Sequence, residues 1–186
     1  MSTQMRRTFN FRWRSMLGMA VALFLLWGTV NFLAAISVPM SLHRNGAGAT
    51  SSGALVLTRE ADAALVGRPL TELAQADPKL DAFLVAFMDT MCAQMMAYAI
   101  VHLAVVWFAL RRGQAWALWT AAASALVTFV YFVPVVRLYA RFAVPLEGYV
   151  QGVMILHVII VVAILLATAL GWLGLRTGQR SVSAQA

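Results

Sequence analysis

Charge and cysteine are what this sequence has least of. Charged residues fill 11% of the 186 positions, against about 25% in an average soluble domain. Apolar residues fill 62% and the mean hydropathy is +0.79, which excludes a single soluble core. The lone cysteine, Cys92, has no partner for an internal disulfide. That excludes both a disulfide-stapled secreted module and a dithiol redox pair. Lysine occurs once, at Lys79, and the other thirteen basic residues are arginine, in an alanine-rich chain of high-GC bacterial character. No phosphate-binding loop, dinucleotide fingerprint, HExxH helix or Ser-His-Asp spacing occurs. A net charge of +7 would point to nucleic acid in a soluble protein. Here the basic residues flank apolar runs, so topology accounts for them and no nucleic-acid partner is expected.

What is present is four long apolar runs. A membrane-spanning helix needs about 20 mostly apolar residues. The segments 15–37, 83–110, 115–136 and 150–175 qualify, and none contains Lys or Arg. They are continuous rather than alternating, which excludes barrel strands. The first run follows a basic leader (Arg6, Arg7, Arg12, Arg14), as a signal peptide would. It is longer than a signal h-region of about 7–15 residues, and no small-x-small cleavage site follows. Arg6-Arg7-Thr8-Phe9 has a faint likeness to a twin-arginine export motif, but basic residues before a first span are expected in any case. The expected fold is an all-α four-helix transmembrane bundle, one membrane domain over residues 1–186.

Arginine placement predicts the orientation. The leader, the turn with Arg111 and Arg112, and the C-terminal segment with Arg176 and Arg180 are basic and hold no acid. The other side holds Arg44, Arg59, Arg68, Lys79, Arg137 and Arg141 over much longer loops, together with Glu60, Asp62, Glu72, Asp77, Asp81 and Glu147. Both termini are therefore expected in the cytoplasm of a bacterial inner membrane, with an outer loop over about 42–77. Trp13, Trp107, Trp116, Trp119 and Trp172 mark the cytoplasmic headgroup level, and Tyr139 and Tyr149 the outer one.

The outer loop divides in two. Asn45–Gly53 is rich in Gly, Ala, Ser and Thr and reads as flexible. Beyond it, Pro69 can open a short helix through Leu70–Ala74 after a Gly67-Arg68 turn. Asp77 reads as an N-cap with Pro78 at the first helical position, so the second long helix runs over 78–110. The loop then serves as a cap on the bundle, or as a lid or docking element.

Polar groups inside a bilayer are costly, so each is a candidate site. Counting inward from the outer ends puts Asn31, Asp89, Tyr131 and His157 at one depth, roughly 10 Å below the boundary. Gln151 lies slightly above that layer and Thr128 slightly below it. A carboxylate there must be paired or neutralised, and His157 is the base at that depth. The layer reads as a proton relay, a quinone-headgroup site or a small-ligand pocket, or else as polar glue between helices. Arg137 could also reach Asp89 by snorkelling.

A second candidate is a methionine stripe. Met88, Met91, Cys92 and Met95 recur at three- and four-residue steps, and Tyr98 and His102 continue the face. Thioether and thiolate are soft ligands, and Met91-x-x-x-Met95 is similar to the methionine pair of copper-transporter pores. Methionine is also an ordinary gap filler, and no metal or cofactor is assigned. Bis-histidine haem ligation needs two His at one level and fits less well still, since His102 and His157 lie roughly 15 Å apart along the membrane normal. Small residues at four-residue steps (Ala117, Ala121 and Ala125; Ala167 and Gly171; Gly18 and Ala22) permit close helix approach, within one bundle or between copies. Pro134 is expected to bend or end the third helix.

The outer segment Gly67-Arg68-Pro69-Leu70-Thr71-Glu72-Leu73 with Asp77-Pro78, and the inner turn Arg111-Arg112-Gly113-Gln114-Ala115-Trp116-Ala117, resemble small bacterial four-helix membrane proteins of DoxX-like architecture. The resemblance covers the whole chain as layout and these stretches as sequence. It implies a four-helix membrane fold. DoxX-like proteins are associated with oxidoreductase or quinone-linked membrane complexes, but no residue role is carried over. Three functional classes follow: a non-enzymatic accessory or structural component, a redox- or proton-coupled component using the polar layer, and an oligomeric transporter or channel. The partners expected are the lipid bilayer and either further copies of the chain or another membrane protein.

Overall fold

The computed structural model describes residues 11–46, 55–144, 148 and 151–183. The Arg6-Arg7-Thr8-Phe9 leader, most of the Asn45–Gly53 stretch, Glu147 and Tyr149 lie outside the described residues. Among the described residues the regular structure is entirely helical. The elements are α1 (Met16–Asn45), α2 (Arg59–Val66), α3 (Leu70–Ala76), α4 (Pro78–Ala104), α5 (Ala115–Arg141) and α6 (Gln151–Ser183). A π turn (Val105–Ala109) and a 3-10 turn (Leu110–Arg112) carry α4 on to the hairpin.

Four of these segments can cross a membrane: Met16–Asn45, Pro78–Arg112, Ala115–Arg141 and Gln151–Thr177. The protein is a multi-pass membrane protein. Its second span has 35 residues, about 50 Å at 1.5 Å per residue, well beyond a hydrocarbon core of about 30 Å. Three helices outrun the sequence pattern. The first continues past Ser37 and through Pro39 to Asn45, where Gly46 at φ 80° ends it by donating to the Leu42 carbonyl. Leu42 is buried, so the extra turns are held by packing. The third passes Pro134 and ends at Arg141, and the fourth runs to Ser183. One proline removes one backbone hydrogen bond, which tertiary contact outweighs here.

Several helix ends follow local chemistry. Ser15 Oγ accepts from Gly18 N at 3.1 Å, and Thr58 Oγ1 caps α2 by accepting from Ala61 N at 3.1 Å. Gly67, at φ 85°, closes α2 in the left-handed region. Asp77 Oδ1 accepts from Lys79 N (2.9 Å) and Leu80 N (3.1 Å), with Pro78 at the first turn, as the sequence predicts.

Helix α1 packs against α4 on one side and α6 on the other, and α6 packs against α5. Helix α5 meets the second span mainly through the π and 3-10 segments. The α4–α5 hairpin is therefore closed at its Arg111-Arg112 turn and diverges beyond it. The closed end is dense. Leu17, Val21, Val106, Leu110, Leu118 and Ala121 are all buried in one cluster. Ala117, Ala121, Ala125, Ala167, Gly18 and Gly171 are buried as well, so most of the small-residue pattern is used inside this chain. Ala22 is the exception and is exposed. A Cβ on Gly174 would stand 2.5 Å from the Leu17 backbone nitrogen, and one on Gly171 would stand 2.5 Å from Leu118 Cδ1.

Aromatics and arginines gather at this end. Trp13 and Trp107 are 6.4 Å apart, and Trp119 and Trp172 are 5.6 Å apart. Arg111 lies over Trp107 at 4.4 Å and Arg176 over Trp172 at 4.5 Å, a cation–π geometry.

The opposite end carries the α2–α3 cap. Asp62 is 2% exposed and accepts four hydrogen bonds: from Leu55 N (2.7 Å), Val56 N (3.0 Å), Leu57 N (3.1 Å) and Tyr139 Oη (2.7 Å). Leu57 and Ala61 pack with Tyr139 and Val144 around this carboxylate, while α3 packs on α4. The cap thus joins α4 to the far end of α5. Tyr139, near the end of α5, is buried against this carboxylate.

Candidate functional site

Three residues of the predicted polar layer meet different neighbours, and the fourth faces outward. The Asn31 amide nitrogen donates to the Trp27 carbonyl of its own helix at 2.9 Å. Asp89 Oδ2 lies 2.8 Å from His43 Nε2 in the last turn of α1. Tyr131 is 72% exposed on the outside of α5. His157 Nδ1 donates to the Val153 carbonyl at 2.7 Å, and its ring stacks on Phe132 at 4.0 Å. Among the described residues no hydrogen bond or ion pair joins any two of the four. Counting along a helix gives depth; it does not give azimuth, which packing sets. His43 reaches Asp89, in place of Arg137, because α1 runs eight residues past Ser37.

The methionine stripe also divides. Cys92 is buried, while Met91 is 53% exposed and Met95 half-buried. Among the described residues, no group of three or more His, Cys, Asp or Glu side chains could hold a metal ion. The continuation of the stripe, Tyr98 and His102, leads to a polar cluster that the structure does assemble.

His102 is 3% exposed. Its Nε2 lies 3.2 Å from the Phe24 carbonyl of α1. A carbonyl oxygen can only accept, so Nε2 carries the hydrogen and, in the neutral ring, Nδ1 presents a lone pair. Trp27 Nε1 donates to Tyr98 Oη at 3.0 Å, which leaves the Tyr98 hydroxyl hydrogen directed onward to His102 Nδ1 at 3.4 Å. Ser124 Oγ of α5 donates to the Ala121 carbonyl at 3.1 Å and sits 3.3 Å from His102 Nδ1. One imidazole thus links three spans. Its approach to α1 depends on Gly28, where a Cβ would lie 3.1 Å from His102 Cδ2 and 2.8 Å from a Leu103 methyl. The π turn begins three residues after His102, and such turns are frequent at functional sites.

The cluster forms one wall of a cavity of about 380 Å³ between α4 and α5, where Gln94, Tyr98, Val101, His102, Thr120 and Ser124 contribute to the lining. Gln94, Ala97, Val101 and Thr120 are exposed at its rim, so it opens sideways from the bundle, where the hairpin begins to diverge. The remaining lining is mainly apolar (Ala97, Val105, Ala121). An apolar chamber with a few converging polar groups is the ordinary form of a small-molecule site. The Tyr98-x-x-x-His102 spacing was the sequence signal for it. Trp27 and Ser124 lie 71 and 22 residues away from their partners, so no local pattern could have supplied them.

Compared with models of known protein families, with curated proteins and with solved structures, the chain matches none.

Proposed function

We propose that this multi-pass protein is an accessory component of a bacterial cytoplasmic membrane that holds a bilayer-dissolved amphiphile in the wedge between α4 and α5. The observation that carries the reading is the convergence of Tyr98, His102 and Ser124 on the wall of a cavity that opens sideways between two spans. A molecule in the bilayer can enter there with its polar end inward and its chain left in lipid. Both termini are taken as cytoplasmic, on the arginine distribution and the Arg111–Trp107 and Arg176–Trp172 pairs. The α2–α3 cap is then extracytoplasmic, and the DoxX-like layout belongs to the same proposal.

The test is photolabelling in lipid nanodiscs with a diazirine-bearing alkyl alcohol, followed by peptide mapping. Labelling should concentrate on segments 94–105 and 120–124, compete with unlabelled alcohol, and fall in His102→Leu. Labelling spread evenly over lipid-facing α6 residues such as Ile155 and Ile159 would leave the cluster as helix–helix glue and remove the binding role.

A second reading is favoured by one contact, the 2.8 Å approach of His43 to Asp89. It centres proton coupling on Asp89 of the Asn31, Asp89, Tyr131 and His157 layer, with His43 as its partner. It requires Asp89→Asn to abolish a pH-driven response in reconstituted vesicles while leaving folding intact.

A further inference from the structure

We infer that the wedge discriminates by hydrogen-bond direction: it takes a neutral amphiphile whose polar end is a hydroxyl donor, a long-chain alcohol or phenol, in preference to an ether or ketone of the same shape. This rests on the binding role proposed above. The argument is a count of hydrogens. His102 Nε2–H is committed to the Phe24 carbonyl at 3.2 Å, so the cavity side of the ring offers a lone pair. The Ser124 hydroxyl hydrogen has two acceptors in reach, the Ala121 carbonyl at 3.1 Å and His102 Nδ1 at 3.3 Å. Given to the nearer one, Ala121, it leaves Ser124 offering lone pairs. Trp27 gives its N–H to Tyr98 at 3.0 Å.

The deep wall therefore presents two acceptors and one hydroxyl hydrogen, that of Tyr98. The contacts of Nδ1 are the loosest in the cluster, 3.3 Å to Ser124 and 3.4 Å to Tyr98, against about 2.7–2.8 Å for a good hydroxyl hydrogen bond. An incoming O–H can donate to Nδ1 at full strength and accept the hydrogen that Tyr98 releases. An ether or ketone can only accept. It can take the Tyr98 hydrogen only by stripping Nδ1 of that donor, and a buried acceptor left unmade is costly.

The other lining residues do not alter this polarity. Thr120 and Gln94 stand at the rim, and both can give or receive a hydrogen bond. No lining residue carries a fixed charge, which favours a neutral head over a carboxylate or an amine. The volume of about 380 Å³ exceeds what a hydroxyl or phenol ring needs, so the first part of an alkyl chain fits against Val101 and Val105.

The experiment uses the full-length protein in nanodiscs and a matched pair of probes, 4-dodecylphenol and its methyl ether, each corrected for partition into protein-free nanodiscs. The phenol should bind saturably and about tenfold more tightly than the ether, the size of one good hydrogen bond. His102→Leu should bring the two to parity. Tyr98→Phe, a milder change, frees Nδ1 of its competing donor and should widen the gap. Equal saturable binding of both probes to the wild type would overturn the donor preference while leaving the binding role standing. An unchanged or narrowed gap in Tyr98→Phe would overturn it too, even if His102→Leu fails to fold. If neither probe saturates, the binding role itself falls.

Discussion

The two ends of the α4–α5 hairpin solve the same packing problem differently. At the Arg111-Arg112 turn the helices are drawn together by alanines and glycines, and the core is apolar and dense. At the opposite end α4 and α5 stand apart and are joined through a third party, the α2–α3 cap, whose anchor is one buried carboxylate. Small residues give close approach through dispersion contacts. A buried carboxylate gives attachment only while all its donors are in place. The wedge and its His102 cluster lie where the first solution gives way to the second, so a cavity exists there without a break in the core.

Three changes would break or sharpen this contrast. The largest effect is expected from Asp62→Asn. The amide would keep its oxygen toward Leu55 N and Val56 N. Its NH₂ would turn toward Tyr139 Oη, which can accept, and toward the Leu57 N–H, which cannot. With the charge on the remaining bonds also gone, the loss in cap docking is about 3 kcal/mol. Hydrogen exchange should then rise across 55–66 and stay low in the buried parts of α1 and α4. Unchanged protection of the cap would show that apolar contacts around Leu57 and Ala61 hold it instead. Next is Gly174→Ala, whose methyl meets Leu17 backbone. A rigid neighbour makes this overpacking worth about 2 kcal/mol, read as a lower unfolding temperature in detergent. A wild-type melting temperature would mean that the closed end yields more than its density implies. The smallest is Asp89→Asn. Its partner His43 has a side chain 61% exposed and Asp89 itself is 38% exposed, so solvent screening discounts the pair to less than about 1 kcal/mol. A thermal shift larger than that would make the pair a third fastening between α1 and α4.

The number of spans, the Asp77-Pro78 start of α4 and the small-residue stripes were legible because each depends on residues close in sequence. The layer of Asn31, Asp89, Tyr131 and His157 was legible only as a depth. Tyr131 faces outward and Asp89 meets His43, because rotation about each helix axis is set by which neighbours pack on it. The binding candidate was half visible. Tyr98 and His102 stood on a recognisable helix face, whereas Trp27 and Ser124 come from other helices. The Asp62–Tyr139 anchor spans 77 residues and left no local trace.

By itself the sequence determined that this chain belongs in a membrane, has four segments able to cross it, and carries five of its six tryptophans near one set of helix ends. Those properties follow from transfer of side chains between water and lipid, which each segment undergoes on its own. Only the tertiary structure decided which polar groups meet, where the hairpin opens and which face of His102 carries a hydrogen. Those outcomes depend on helix azimuth and on contacts between distant segments. Close packing determines them collectively, and no single stretch of residues contains the answer.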